Sequence, residues 1–142
     1  MANQQYSNHS RYIPLWHFVT SAIILAILAG SIVNVWHSSA ENLYSATLLV
    51  AVSVILLLLF WYCRWFALRA QDRAIRAEEN LRHFAITGKL LDNRLGIGQV
   101  IALRFASDEE FPSLAKKAAE ETLGGIEIKQ LIKNWRADYN RV

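Results

Sequence analysis

The side chains best suited to metal binding or nucleophilic chemistry are four histidines and one cysteine. The histidines lack the spacing of metal ligands; they are His9, His17, His37 and His83. About 20 helical residues separate His17 from His37, which places them about 30 Å apart, so these two cannot share one haem within a chain. Cys63 is the single cysteine and forms no internal disulfide. The sequence therefore predicts no metal ligand and no cofactor.

Other chemical motifs are also incomplete. Gly96 and Gly98 resemble the start of a dinucleotide-binding fingerprint, but no strand precedes them and the third glycine is missing. The acidic residues cluster at 78–79, 108–110 and 120–121, on what we expect to be solvated helical faces. No nucleophile with a base and an orienting group can be assembled. We therefore expect a protein without catalytic residues, one that is not an enzyme.

Two apolar runs dominate the sequence. Residues 15–36 and 43–63 contain no Asp, Glu, Lys or Arg, and the loop 37–42 separates them. A hydrocarbon core of about 30 Å needs about 20 apolar residues in a helix, and the runs have 22 and 21. The sequence predicts an all-α membrane protein whose two transmembrane helices form a hairpin. The first run is also longer than the apolar core of a signal peptide.

The charges give this hairpin a direction. Of the 15 Lys and Arg residues, only Arg11 precedes the first run, and the others all lie from Arg64 onward. The loop 37–42 has no basic residue. Under the positive-inside rule, residues 1–14 form a cytoplasmic tail and the loop lies outside. We expect a multi-pass protein of a bacterial inner (plasma) membrane with both termini in the cytoplasm.

A stripe of small residues runs along the first predicted span. Ala22, Ala26 and Gly30 recur every four residues and form a smooth surface on which another helix can approach closely. Either the second span or a helix of a partner protein can cover this stripe. We expect it to be a contact surface in both cases.

The second span is expected to continue into the cytoplasm as a basic helix over residues 64–87, because this stretch has no Gly or Pro. Arg69, Arg73 and Arg76 share one face of it and predict contact with the anionic headgroups of membrane lipids. The alternative is that these arginines serve only as a topology signal. Without interleaved aromatic residues, the basic face does not indicate nucleic-acid binding.

Two further interactions are predicted for this helix. Glu78 has the spacing to pair with Arg82. An interrupted apolar seam suits packing against another helix better than a long regular coiled coil, and it consists of Leu68, Ile75, Leu81 and Phe84.

Residues 88–142 are predicted to form a small cytoplasmic helical domain. After a break around Gly88, apolar periodicity favours helices at 96–106, 108–122 and 126–138. Ser107 and Glu110 have the spacing of a helix N-terminus. Trp135 is read either as a core residue or as a contact to headgroups or a partner.

Four segments carry a resemblance to a known family. They are NHSRYIP at 8–14, RAQDRAIR at 69–76, IALRFASDEE at 101–110 and IKNWRADY at 132–139. Through them the whole chain resembles a family of uncharacterised two-span bacterial membrane proteins, a domain of unknown function. Some members are labelled ABC transporter permeases, but two spans without a permease-type coupling region argue against that activity here. The resemblance implies a bacterial membrane protein.

The sequence-based hypothesis is an accessory or scaffolding subunit of the inner membrane, which docks on a larger membrane protein complex or associates with itself. The alternative is a homo-oligomeric channel of two-span subunits. In that case the hydroxyls of Ser45, Thr47 and Ser53 wet the pore.

Overall fold

The structure is a computed structural model that describes residues 4–8 and 12–139, and within these ranges it has five α-helices and no strand. The chain divides into two compact units. The first is Arg11–Ala67, and the second combines Leu68–Val142 with Met1–Ser10. The all-helical class is thus confirmed for the described residues. The predicted boundaries between tail, spans, loop and cytoplasmic parts stay a prediction.

Two long apolar helices form the first unit. Leu15–His37 begins with a π-helical turn at Leu15–Thr20 and continues as α1 at Ser21–His37. The second helix, α2, runs unbroken over Leu43–Thr87, so its last residues belong to the second unit. Both helices are long and apolar enough to cross a membrane.

Within the first unit the two helices meet along a narrow seam. Ser31, Ala46 and Ser53 are buried there, and the hydroxyl of Ser53 lies 3.3 Å from that of Ser31. Trp16 stacks on Phe60 with 4.2 Å between ring centroids. Small side chains thus hold the middle of the hairpin, and an aromatic pair holds one end.

Three short helices build the core of the second unit: α3 at Ile97–Leu103, α4 at Phe111–Glu120 and α5 at Gly125–Leu131. Its largest fully buried side chains are Phe105, Phe111, Leu103, Ile128 and Val100. The far end of α2 contributes Ile75 to the same cluster. The second unit therefore uses α2 as one wall of its core.

Helices α3 and α5 begin in the same way. The N–H of Gly96 donates to Oε1 of Gln99 at 2.7 Å, and the N–H of Gly124 donates to Oε2 of Glu127 at 2.6 Å. Each bond satisfies a backbone donor at a helix start. The two helices cross so closely that a Cβ on Gly125 would lie 3.1 Å from the carbonyl oxygen of Gly98.

The break after α2 depends on Gly88. Its φ of +71° lies in the left-handed region, which a residue without Cβ adopts most readily. Its N–H donates to the carbonyl of Phe84 at 2.8 Å, which closes the helix end. The predicted break at this glycine is confirmed.

The predicted helix at 126–138 is wrong beyond Leu131. The chain then becomes extended and pairs with the segment after α3, because Ser107 N–H donates to Asn134 O at 3.1 Å and Arg136 N–H donates to Phe105 O at 2.8 Å. Trp135 packs on Phe105 with 5.0 Å between centroids. This long-range pairing replaces the expected last turns of the helix.

The predicted helices at 96–106 and 108–122 exist in shorter form, as α3 and α4. Glu110 reaches back to the N–H of Ser107 at 3.4 Å, as the spacing predicts. Its carboxylate also accepts the N–H groups of Lys133 and Asn134 at 3.2 and 3.0 Å. Glu110 thus links the start of α4 to the extended segment.

The close crossing predicts opposite effects for two glycine substitutions. Gly125→Ala pushes a Cβ against the Gly98 carbonyl and should lower the local free energy of unfolding of α3 and α5 by about 1 kcal/mol. Gly98→Ala is the matched control, since a Cβ there meets nothing within 4 Å, and it should raise that free energy by up to about 1 kcal/mol. Hydrogen–deuterium exchange of both helices in the full chain measures this. Equal protection in the two variants would contradict the crossing.

Candidate functional site

The small-residue stripe of α1 is open. Ala22, Ala26 and Gly30 are all exposed, and a Cβ added to Gly30 would meet nothing within 4 Å. The seam with α2 uses buried and half-buried residues on another face of α1, namely Ile24, Leu28, Ser31 and Val35. At 100° per residue these two sets lie on opposite sides of the helix. Of the two occupants that the sequence left open, the second span does not cover the stripe.

Arg82 connects α2 to several other parts of the second unit. Its guanidinium donates from Nη1 to Glu79 Oε2 at 2.9 Å, from Nε to Asp108 Oδ1 at 2.7 Å and from Nη2 to the Ala106 carbonyl at 2.7 Å. It also lies over the ring of Phe111, 4.4 Å from the centroid. One side chain of α2 thus contacts the segment between α3 and α4 and the first residue of α4.

Glu79 is the buried acid of this network. It is 6% exposed and has Arg136 as a second cation, at 3.8 Å. The predicted Arg82 pair with Glu78 is wrong, because Glu79 and Arg82 share the helix face that contacts the core while Glu78 points to solvent. A buried carboxylate needs such partners, since an isolated buried charge is strongly unfavourable.

The predicted lipid-contacting arginines divide into two kinds. Arg69 and Arg73 are exposed. Arg76 is half-buried and its Nη2 donates to the carbonyl of Leu95 at 2.8 Å. Arg76 therefore fixes the loop before α3, a role that its spacing on the sequence did not indicate.

Of the two roles predicted for Trp135, the structure shows the one in which it packs against the core. It is half-buried against Phe105. One of its edges borders an open cavity of about 740 Å³, which the N-terminal residues Gln4 and Tyr6 also line. Asp138 N–H donates to Gln4 Oε1 at 2.8 Å. Nothing in the sequence pattern of residues 4–8 signals this contact.

A smaller cleft of about 400 Å³ lies between α2 and the extended segment. Arg104 is a buried charge of this cleft: its side chain is 7% exposed, and its Nη1 lies 3.3 Å from Asp138 Oδ2. Glu79 and Arg136 also line the cleft. Both positive and negative side chains thus line the cleft. Among the described residues no three His, Cys, Asp or Glu side chains are placed to hold a metal ion.

The loop between α2 and α3 contains a carboxyl group with a strongly lowered pKa. Hydrogen bonds from the side chain of Arg94 hold the pKa of Asp92 at about 2, and the Arg94 backbone N–H adds to the effect. Arg94 Nη2 donates to Asp92 Oδ2 at 2.7 Å, and Arg94 Nε donates to Asp92 Oδ1 at 3.0 Å. Because folding lowers the pKa of Asp92, its interaction with Arg94 stabilises the folded state at pH values above the ordinary pKa near 3.8. That stabilisation is lost as the pH falls toward 2.

A family of unknown function (DUF6526) has a family model that matches residues 1–142. No curated protein and no solved structure shows significant similarity to the chain.

The Arg82 network predicts a large effect from one substitution. Arg82→Ala removes three donors and leaves Glu79 buried with a single, more distant cation, so it should lower the free energy of unfolding of the second unit by about 3 kcal/mol. Arg82→Lys keeps the charge but not the planar fork, and should recover less than half of the loss. Hydrogen exchange of α3 and α4 is the measurement.

The control for this experiment is Arg73→Ala on the same helix. Arg73 is exposed, and its removal should change the free energy by less than about 0.5 kcal/mol. If Arg82→Ala leaves α3 and α4 as protected as Arg73→Ala does, then Arg82 does not hold the second unit together.

Proposed function

Because the chain belongs to DUF6526, a family of unknown function, we propose its role from its own structure. It is a bacterial inner-membrane protein that crosses the bilayer twice and has both termini in the cytoplasm. It acts as a non-enzymatic accessory or scaffolding subunit and docks on a larger membrane complex through the exposed face of its hairpin.

The exposure of the apolar helices supports the membrane location. Of the most apolar 18-residue windows in Leu15–His37 and Leu43–Thr87, only 6% and 11% are buried. The core helix of a water-soluble protein is mostly buried. Exposed side chains such as Leu25 and Leu49, at 56% and 54%, are unfavourable in water at about 25 cal/mol per Å² but suit a lipid environment.

The second unit supports a shared side for the two termini. Residues 4–8 precede the first apolar helix, and the Asp138 N–H donates to Gln4 near the other end of the chain. A chain that crosses twice returns to the side where it began. The basic residues from Arg64 onward favour the cytoplasm for that side.

The observation that carries the docking role is the open stripe of Ala22, Ala26 and Gly30 on the side of α1 opposite the seam. In lipid, helices associate by close packing of small residues, because lipid tails are as apolar as the side chains. The second span does not cover the stripe. A helix of another membrane protein is the occupant that fits it.

The hydroxyl groups support this role over a channel. Ser45 and Thr47 donate to carbonyls of their own helix region, Asn42 at 2.9 Å and Tyr44 at 2.8 Å. Ser53 is 2% exposed and lies in the seam with Ser31. The side chains expected to wet a pore thus already have partners, and one of them is enclosed within a single hairpin.

The docking role is tested with Gly30→Leu. The added side chain has open space within the hairpin but blocks close approach of a partner helix, so recovery of the co-purifying protein in mild detergent should fall about tenfold. Ala51→Leu is the control, since Ala51 is an exposed small residue of α2, and it should leave recovery unchanged. Native mass spectrometry identifies the particle.

Three results would count against the proposal. Release of the protein by alkaline carbonate would exclude membrane insertion. A wild-type particle with the mass of one chain and no companion would exclude the accessory role. Conductance in planar bilayers that Gly30→Leu leaves intact would favour the channel instead.

A further inference from the structure

The part of α2 that lies in the second unit has two opposite faces. Ile75, Glu79 and Arg82 point into the core and its charged network. The other face consists of exposed residues, Ala70, Ala74, Ala77, Leu81 and Phe84, of which Ala74 also borders the cleft between α2 and the extended segment. Leu81 and Phe84 are 68% and 51% exposed. Two large apolar side chains exposed side by side on one face of a helix indicate a surface that binds a partner.

The spacing on this outer face is regular. Its members follow one another at intervals of four, three, four and three residues, which is the heptad spacing of a coiled coil. The sequence-based seam of Leu68, Ile75, Leu81 and Phe84 looked interrupted because it combined two faces. Ile75 is buried in the core, and without it the outer face has no interruption from Ala70 to Phe84.

Two exposed charges flank this face on opposite sides. Arg73 precedes Ala74 and Glu78 follows Ala77, so they occupy the g and e positions of the heptad, five residues apart. In a parallel pair of helices, g of one chain meets e of the other five residues later, and these pairs set the orientation. Two copies therefore bring Arg73 to Glu78 twice. An antiparallel pair would bring like charges together.

We propose that this outer face binds a second copy of the chain, as a parallel dimer of α2 helices. The inference rests on the proposed membrane location, because two copies inserted in one membrane present α2 in the same direction and at high local concentration. The symmetry of a two-fold dimer supplies both charge pairs from one sequence. Leu81 and Phe84 of each copy then pack on their counterparts.

Cysteine cross-linking of the full chain in membranes tests the contact. In a Cys63→Ser background, Ala77→Cys lies on the outer face and should give at least about fivefold more cross-linked dimer with a short bismaleimide than Ile86→Cys. Ile86 is a matched control, since it is 42% exposed and lies on the other side of the same helix. Equal yields at the two positions would overturn the proposal.

Charge exchange tests the register. Arg73→Glu or Glu78→Arg alone should lower the Ala77→Cys cross-linking about fivefold, and the two together should restore it. Both residues are exposed, and hydrogen exchange of α3 checks that the second unit stays folded. Single variants that match the wild type, or a double variant without recovery, would exclude the parallel register.

The two proposals fail separately. If Ala77→Cys cross-links no better than Ile86→Cys while Gly30→Leu still releases a companion protein, the α2 dimer is wrong and the accessory role stands. If carbonate releases the protein from the membrane, the proposed function fails. If Ala77→Cys still cross-links two copies in that released protein, the α2 contact forms without membrane insertion.

Discussion

The second unit depends on one charged contact, the docking of Arg82 on Glu79, Asp108 and the Ala106 carbonyl. The short helices α3, α4 and α5 alone enclose a small core, which is only marginally stable. Here α2 supplies further support, because Ile75 belongs to the core and Arg82 covers the ring of Phe111. The guanidinium fixes the rotation of α2 about its axis, and that rotation decides which residues face the core and which face outward.

The sequence patterns predicted where the helices lie better than they predicted which face of each helix makes contacts. The absence of charge over 15–36 and 43–63 identified both apolar helices, because a helix long and apolar enough to cross a membrane leaves a continuous uncharged run in the sequence. Whether α2 covers Ala22, Ala26 and Gly30 was beyond the pattern, since a periodic stripe marks a surface suited to contact but not its occupant. The acidic partner of Arg82 was mispredicted for a similar reason. Whether Glu78 or Glu79 faces the core depends on the rotation of α2 about its axis, which the sequence pattern does not specify.

The misplaced end of the last helix has a similar cause. Ile128, Leu131, Ile132 and Trp135 have helical spacing, and local propensity favours one helix through them. The chain leaves the helix at Ile132 because the backbone after α3 has donors and acceptors that only another segment can satisfy. Asn134 and Arg136 pair with Ser107 and Phe105. Such pairing joins residues about 30 positions apart, which local periodicity cannot detect.

The proposed settings of the two candidate surfaces, lipid and water, favour different residues, and each surface has the residues that its proposed setting favours. In lipid, burial of large apolar side chains gives a helix pair no advantage, so smoothness is decisive, and the α1 stripe consists of Ala and Gly. In water, fully burying a Leu or Phe side chain contributes about 1.5–3 kcal/mol, and the outer face of α2 ends in Leu81 and Phe84. A stripe of alanines alone would bind weakly in water, and exposed Leu and Phe would mean little in a bilayer. A stripe of only small residues in α1, and a face of α2 that ends in two large apolar side chains, is the pattern expected of a protein that makes one contact inside a membrane and another outside it.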